Sequence, residues 1–311
     1  MVNKKIFITG GAGYLGRNLI ERFYKDNEIT VYSRDEAKHY YLKKQFPNVR
    51  FVVGDVRNYD LLYRAAKNHN IGIFAASLKQ IEACNDNYEE ANKVIVEGAF
   101  NSRQVAEEHN YEAACFISSD KSRAATTIYG AMKFVAGESF IVNAAQSSVR
   151  LSTAIYGNVT NSTGSIIPLI WKTIAQGASL TLYGAEMTRF MLDIGDAMDL
   201  IEKSLELSGV NTVPIAQSFY IRDLFEIYHE DFGLCYTVTE PRSGEKIHEI
   251  MISEEETRRT MLDVGRNIYL ISQMGQNSNV KFPRGEYSSR DCCITKQELR
   301  EYLQQRNYYQ G

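Results

Sequence analysis

The chain has 311 residues, of which 44% are hydrophobic and 23% charged, and its formal net charge is −3. That length allows one large α/β domain with an attached lobe, or two domains sharing a cleft, and the charge implies no polybasic surface for nucleic acid. No apolar run approaches the ~20 residues of a membrane span.

Strand-like and helix-like patterns then alternate through the first half. "KIFITG", "EITVYS", "VRFVVGD", "IGIFAAS", "AACFIS" and "SSVRLS" are short, apolar and rich in β-formers. Helical stretches lie between most of them, including "YLGRNLIERFYKD", "YEEANKVIVEGAFNSRQVAEEH" and "TIYGAMKFVAGESFIVNAA". Alternating βα units predict a doubly wound parallel sheet of the Rossmann kind. After Leu151 the pattern loosens, and "YGNVTNSTGS" reads as loop. We therefore expect a dinucleotide-binding domain over residues 1–151. Residues 152–311 should form mainly a smaller α/β substrate-binding lobe, with some segments returning to the first domain. The start "MVNKK" runs straight into a strand, so no signal peptide is expected. Cys84, Cys115, Cys235, Cys292 and Cys293 are odd in number and lack metal-ligand spacing. They read as reduced thiols of a cytoplasmic protein, with no metal site.

The stretch "IFITGGAGYLG" follows the first strand and opens the first helix. Gly10, Gly13 and Gly16, with Tyr14 and Leu15 between them, form the loop on which a pyrophosphate rests against a helix N-terminus. The second strand ends in "YSRDE". Ser33 and Arg34 stand where an acid would hold the ribose of NAD, and Lys38 adds charge one turn on. Arg34 can pair with a 2′-phosphate, so the pattern favours NADP. "GDVRN" closes the third strand, placing Asp55 and the Val56 backbone to hold the adenine.

Two pairs carry the chemistry. Tyr129 and Lys133 lie one turn apart on a predicted helix after the fifth strand. A lysine ammonium nearby would favour the phenolate and make Tyr129 a base for a sugar hydroxyl. Asp120 and Lys121 stand just past the end of the fifth strand, the edge of an open sheet that faces the ligand. Oxidation and reduction at one carbon do not require this second acid and amine. Elimination of water does: one group removes the proton beside the new ketone, and another protonates the departing hydroxyl.

These residues sit in "S-S-D-K-(x7)-Y-G-A-x-K", which resembles UDP-N-acetylglucosamine 4,6-dehydratases within the extended short-chain dehydrogenase/reductases. The likeness is strongest to the C5-inverting enzymes of pseudaminic acid and capsule biosynthesis. It continues through "YSRDE", "AASLKQIEACNDNYEEANKVIVEGAFN", "GSIIPLIWKTIAQGASLTLYGAEMTRFMLDI", "RSGEKIHEIMIS" and "GEYSSRDCCITKQEL". The resemblance implies an NADP-dependent lyase acting on a UDP-sugar, with Tyr129 as the C4 base and Lys133 as its electrostatic partner. Asp120 becomes the acid at C6 and Lys121 the base at C5. Ala75, Ala76, Ser77 and Lys79 would line the nicotinamide side. Ser119 and Asn158 would contact the sugar, while Arg189, Arg242 and Lys246 would receive the uridine diphosphate. The family also implies a homo-oligomer, with apolar residues of the Tyr88–His109 and Thr127–Ala144 helices available to pack between subunits. Three positions depart from the pattern. Phe74 replaces a histidine, Thr153 stands where an active-site asparagine is expected, and several residues are added before "GSIIP". A C4 or C5 epimerase or a reductase of the same fold is the alternative activity, and an NADP-binding regulator the alternative without catalysis. Asp120–Lys121 argues against the plain C4 epimerase, and the four intact residues argue against the regulator.

Overall fold

The computed structural model describes residues 1–162, 164–273 and 280–309. Six strands come first: β1 (Lys5–Thr9), β2 (Glu28–Ser33), β3 (Arg50–Val53), β4 (Ile71–Phe74), β5 (Ala113–Ile117) and β6 (Arg150–Ala154). They pair in parallel in the order 3-2-1-4-5-6. This is the doubly wound Rossmann sheet that the alternating pattern predicts. Three later segments extend it beyond β6. Val210–Pro214 joins in parallel, and Ile268–Ser272 and Thr260–Asp263 complete that edge as an antiparallel pair.

Both faces of the sheet are covered, so its central strands are buried along their length rather than at alternate residues. Within β1, Ile6 and Ile8 face one layer and Phe7 faces the other. The first layer holds helices Tyr14–Phe23 and Ile194–Leu205, packed through Leu19, Ile20, Leu200 and Ile201. The second holds Tyr59–Ala66, Gly98–Glu108 and Ile128–Ile141, packed through Leu62, Val105 and Phe140. The helical run expected from Tyr88 is interrupted at Lys93–Glu97 by a π-helical turn. A smaller lobe has its own core, built on helices Ile166–Ala175, Ile221–Phe232 and Lys296–Gln305 around Ile170, Phe225, Tyr228 and Leu299. Its two-stranded pairs include Thr188–Met191 with Gln217–Tyr220. The expected loop after β6 is irregular through residue 162, with an isolated bridge from Val159 to Leu192, and its Thr163 lies outside the described residues.

Strand order reverses beside β1, where β2 and β4 flank it. Chains leaving the C-terminal ends of these strands part there and open a crevice. The functional residues gather along this edge.

Candidate active site

The loop after β1 is shaped by its glycines. Gly10 has φ +69°, and a Cβ there would stand 2.8 Å from the Ala76 nitrogen. A Cβ on Gly16 would lie 2.2 Å from Gly11 Cα, so the helix can approach the loop only without a side chain. The result is a cavity of about 260 Å³ lined by Gly10, Gly13, Ser33, Arg34, Lys38, Asp55, Val56, Ala76 and Ser77. Tyr32, Gly54 and Val94 line it too, although sequence reasoning did not single them out. Tyr14 and Leu15 begin the first helix, which starts at the cavity, and Ala75 hydrogen-bonds back to Thr9 of β1 at 3.2 Å. A glycine-shaped cradle at a helix N-terminus fits a dinucleotide.

Several side chains in this cavity are already engaged. Ser33 Oγ bonds His39 Nε2 at 2.6 Å, and Lys38 pairs with Asp35 at 2.7 Å. Asp55, expected to face the adenine, gives its carboxylate to Arg57, with Nε at 2.9 Å and Nη2 at 2.6 Å. Arg57 also pairs with Glu90 at 2.5 Å. It was missed, although "GDVRN" contains it. Arg34 makes longer contacts, 3.8 Å to Asp55 and 3.9 Å to Glu90, and its side chain is half exposed.

The catalytic pairs converge beyond β5. Thr127 caps helix Ile128–Ile141, accepting from Gly130 N at 3.1 Å, and this places Tyr129 and Lys133 in its first turns. Both side chains are buried. Burial pushes the Tyr129 phenol up to about 12, while the Lys121 charge and the Ser119 hydroxyl pull it back. Lys133 donates to the Ile117 carbonyl at 2.8 Å and lies 4.8 Å from the Phe116 ring centroid. Burial pushes Lys133 down to about 7. The charge that pulls on the Tyr129 phenol in this structure is that of Lys121.

Asp120 and Lys121 open a short 3₁₀ turn, with Ser119 accepting from the Lys121 backbone. Asp120 is 1% exposed and receives hydrogen bonds from Ser119 Oγ at 2.9 Å and Lys121 N at 2.8 Å. Burial pushes its carboxyl up, against the pull of Lys121, and the Glu249 charge adds to the rise. That is the direction a proton donor needs. Gly157 makes the space: a Cβ there would lie 2.8 Å from Asp120 Oδ2. Lys121 Nζ stands 3.4 Å from Asp120 Oδ1 and donates to Glu249 Oε1 at 2.9 Å. A base at C5 calls for a lysine depressed from its ordinary value. Burial does favour that, but Asp120 and Glu249 outweigh it and hold Lys121 above its ordinary value. The reason is Glu249, a buried acid just before strand Ile250–Ile252 that the quoted motif "RSGEKIHEIMIS" contained unnoticed.

Arg189 and Lys246 are also placed differently from expectation. Arg189 is 6% exposed, and its guanidinium is spent on the carbonyls of Thr188, Lys246 and Ile247, on Glu245 at 3.0 Å and on Glu249 at 3.7 Å. Lys246 Nζ donates to the Arg123 carbonyl. Together they fasten the Glu245–Glu249 segment over the Asp120 turn, instead of presenting free cations to a diphosphate. Thr126 adds a bond to Gly244 at 2.8 Å. Lys79, Asn158 and Arg242 are exposed. Arg242 reaches Glu82 at 3.3 Å and stacks over Tyr183 at 4.2 Å. Thr153, at the expected asparagine position, is buried and donates to the Gly137 carbonyl at 3.2 Å. It ties β6 to the catalytic helix. Phe74 is likewise core, tilted against Phe140 at 5.8 Å. Among the described residues no group of three or more His, Cys, Asp or Glu could hold a metal ion.

A doubly wound sheet with a glycine cradle at its crevice and a buried Tyr-x-x-x-Lys helix beside it defines an enzyme of the extended short-chain dehydrogenase/reductase type. Known proteins narrow this further. The family described as "Polysaccharide biosynthesis protein" matches residues 6–270, and the chain belongs to it. A Campylobacter jejuni protein named UDP-N-acetylglucosamine 4,6-dehydratase (inverting) is 33% identical, over 84% of this chain and 81% of its own length. A Rickettsia bellii protein named UDP-glucose 4-epimerase is 31% identical, over 89% of this chain and 85% of its own. The X-ray structure of Pen from Bacillus thuringiensis superposes with a TM-score of 0.89 over 99% of both chains, at 25% identity. No helix among the described residues is long and apolar enough to cross a membrane.

Proposed function

We propose that the protein is an NADP-dependent, C5-inverting 4,6-dehydratase of UDP-N-acetylglucosamine, yielding a UDP-2-acetamido-2,6-dideoxy-4-hexulose. One observation carries the reading: Asp120 and Lys121 are gathered into the same charge cluster as Tyr129, where a simple redox site needs neither. A bound nicotinamide supplies the capacity to take hydride from C4 and return it at C6. The residues lining the glycine cradle would hold it, with Arg34 and Lys38 toward a 2′-phosphate. Tyr129 takes the proton of the C4 hydroxyl, steadied by Ser119 and by the Lys121 charge. Lys121 removes the C5 proton once the neighbouring ketone has made it acidic. Asp120, whose carboxyl burial pushes up, protonates the departing C6 hydroxyl. Lys79, Asn158 and Arg242, all exposed, are the groups we assign to the substrate. Residues 1–151 carry the cofactor and residues 152–311 mainly the sugar nucleotide. The protein works in the cytoplasm as a homo-oligomer, packed through the exposed Phe100, Phe134, Val135 and Val142.

The Rickettsia relative favours a second reading, a UDP-sugar epimerase. Incubation with UDP-N-acetylglucosamine in deuterated water separates the two. Dehydration gives a product lighter by one water with deuterium at C5, and NADP is not consumed. A product of unchanged mass would mean epimerisation, and stoichiometric accumulation of NADPH would mean a plain dehydrogenase.

A further inference from the structure

The two reactive pairs lie on one stretch of chain, and the residues that join them are held from outside it. Arg123 closes the Asp120–Ser122 turn, its backbone N–H donating to the Asp120 carbonyl at 3.0 Å. Its side chain is 2% exposed, where an uncompensated guanidinium would be costly. It is compensated twice: Nη1 lies 3.1 Å from Glu138 Oε1 and 3.2 Å from Glu256 Oε1. Glu138 belongs to the Tyr129 helix, and Glu256 to the short helix Glu254–Thr257 that follows Glu249. Arg259 pairs with Glu256 at 3.1 Å and with Glu138 at 3.7 Å, so two cations balance two anions. One buried side chain thus ties the acid–amine turn to the tyrosine's helix and to the docked segment.

Ala124, the next residue, shows what this tie works against. Its φ is +43°, in the left-handed region. Apart from Arg284, every other non-glycine residue with positive φ among those described is an asparagine. Asparagine tolerates that region, whereas alanine is strained there. Such strain persists only where neighbours impose it. Here they do so on both sides: Lys246 Nζ donates to the Arg123 carbonyl, and Thr126 donates to the Gly244 carbonyl at 2.8 Å. Ala124 lies between Lys121 and Tyr129, so its angles orient one reactive pair against the other.

We propose that Arg123 is a positioning residue for elimination: its buried salt bridges hold the Asp120–Lys121 turn against the strain at Ala124, in register with Tyr129. The proposal rests on the dehydratase reading above. Arg123 touches no reacting atom. Tyr129 keeps its place without it, because its helix is capped by Thr127 and packed through Ala136, Phe140 and Ile141. The three-residue turn carries only polar side chains and has no apolar anchor of its own. Arg123 therefore bears on the steps at C5 and C6 and leaves C4 oxidation to the helix.

The test is Arg123→Lys, which keeps the charge but loses the planar guanidinium that two carboxylates share. C4 oxidation is followed as reduced nicotinamide in a single turnover with UDP-N-acetylglucosamine, and C5 exchange as solvent deuterium by NMR. We expect C4 oxidation to stay within about threefold of wild type, while C5 exchange falls about a hundredfold, the loss that a misplaced group gives. Adding Ala124→Asn relieves the strain at an exposed position and should recover about tenfold of that exchange. Equal slowing of both steps in Arg123→Lys, or no slowing, overturns the proposal by showing that Arg123 is merely structural. A loss that Ala124→Asn leaves unchanged overturns it too, because the turn is then not held against strain. If Arg123→Lys does not fold, Glu138→Gln carries the same test, with the same split and recovery expected and the same results overturning it. Wild-type protein that reduces its cofactor without ever exchanging C5 removes the dehydratase reading itself. Wild-type exchange beside equal slowing in the variant leaves that reading standing and removes Arg123 alone.

Discussion

Replacing Lys133 with methionine separates what the lysine does for catalysis from what it costs the fold. Its ammonium is buried, with one backbone carbonyl and one ring face for company. Burial lowers it from its ordinary 10.5 to about 7. In the unfolded chain the group keeps its proton up to its ordinary pKa, so between these two values the unfolded state binds more protons. Stability therefore rises with pH across that window, by ~1.4 kcal/mol per unit, and is lowest at and below pH 7. Over the full window the contribution amounts to roughly 5 kcal/mol. Methionine has a similar length and no proton, so Lys133→Met removes that slope. The lost bond to Ile117 costs about 1–3 kcal/mol, independent of pH. Urea unfolding of both proteins, stripped of nucleotide, at intervals between pH 6.5 and 10 reads the difference. The variant should be the more stable protein near pH 7 and lose that advantage toward pH 10, while its C4 oxidation is abolished. A stability difference that does not change with pH would show that Lys133 is not desolvated as its burial implies, and the reasoning would fail.

Other consequences are as direct. Arg34→Ala should weaken NADP at least tenfold more than NAD in equilibrium titrations, since a charge-assisted pair to a 2′-phosphate is lost; equal losses would make Arg34 a solvated surface charge. Gly157→Ala should lower turnover by roughly 10–100-fold with unfolding unchanged, because its methyl group meets Asp120 Oδ2 and displaces the acid; normal turnover would show that the Asp120 position is not critical. Arg123→Met should cost about 3–5 kcal/mol in urea unfolding, since Arg123 is 2% exposed and pairs with Glu138 at 3.1 Å and Glu256 at 3.2 Å; a neutral result would mean those acids find other partners. Phe134→Lys together with Val142→Lys should give a monomeric mass by light scattering, and an unchanged oligomer would place the interface elsewhere.

The parallel sheet was legible because its strands are apolar on both faces and its helices are amphipathic, a contrast that survives in one dimension. The helix Ile128–Ile141 and the glycine loop were legible for a related reason: their chemistry is local, set by residues a turn apart. Elements whose signal is weak escaped. Helix Glu36–Gln45 buries little besides His39 and Leu42, and "EAKHYYLKKQ" shows no clear stripe. The added strands at Val210–Pro214 and Ile268–Ser272 could not be assigned to the main sheet, because pairing across long separations leaves no local trace. Arg57 looked like an ordinary turn residue, and only the packing of helix Tyr88–Asn92 brings Glu90 to it.

The catalytic lysine shows where local reading stops. Within "SSDKSRAATTIYGAMKFV" Lys121 has one acid beside it and one other lysine within reach by sequence, which suggests a depressed ammonium. The fold changes that balance from outside the stretch. Arg189 and Lys246 fasten the Glu245–Glu249 segment, and Glu249 arrives on Lys121 as a second negative charge. Lys133 lies elsewhere, donating to the Ile117 carbonyl and set over the Phe116 ring. The two lysines thereby part: the acids hold Lys121 above its ordinary value, while burial pushes Lys133 down. A site whose charges are completed by the Glu245–Glu249 segment is a site whose chemistry depends on that segment being docked. Loosening the docking through Thr126→Val, which removes the 2.8 Å bond to Gly244 without touching any charge, should therefore slow C5 exchange more than C4 oxidation. Equal slowing of both steps would mean that the segment closes the cleft without tuning Lys121.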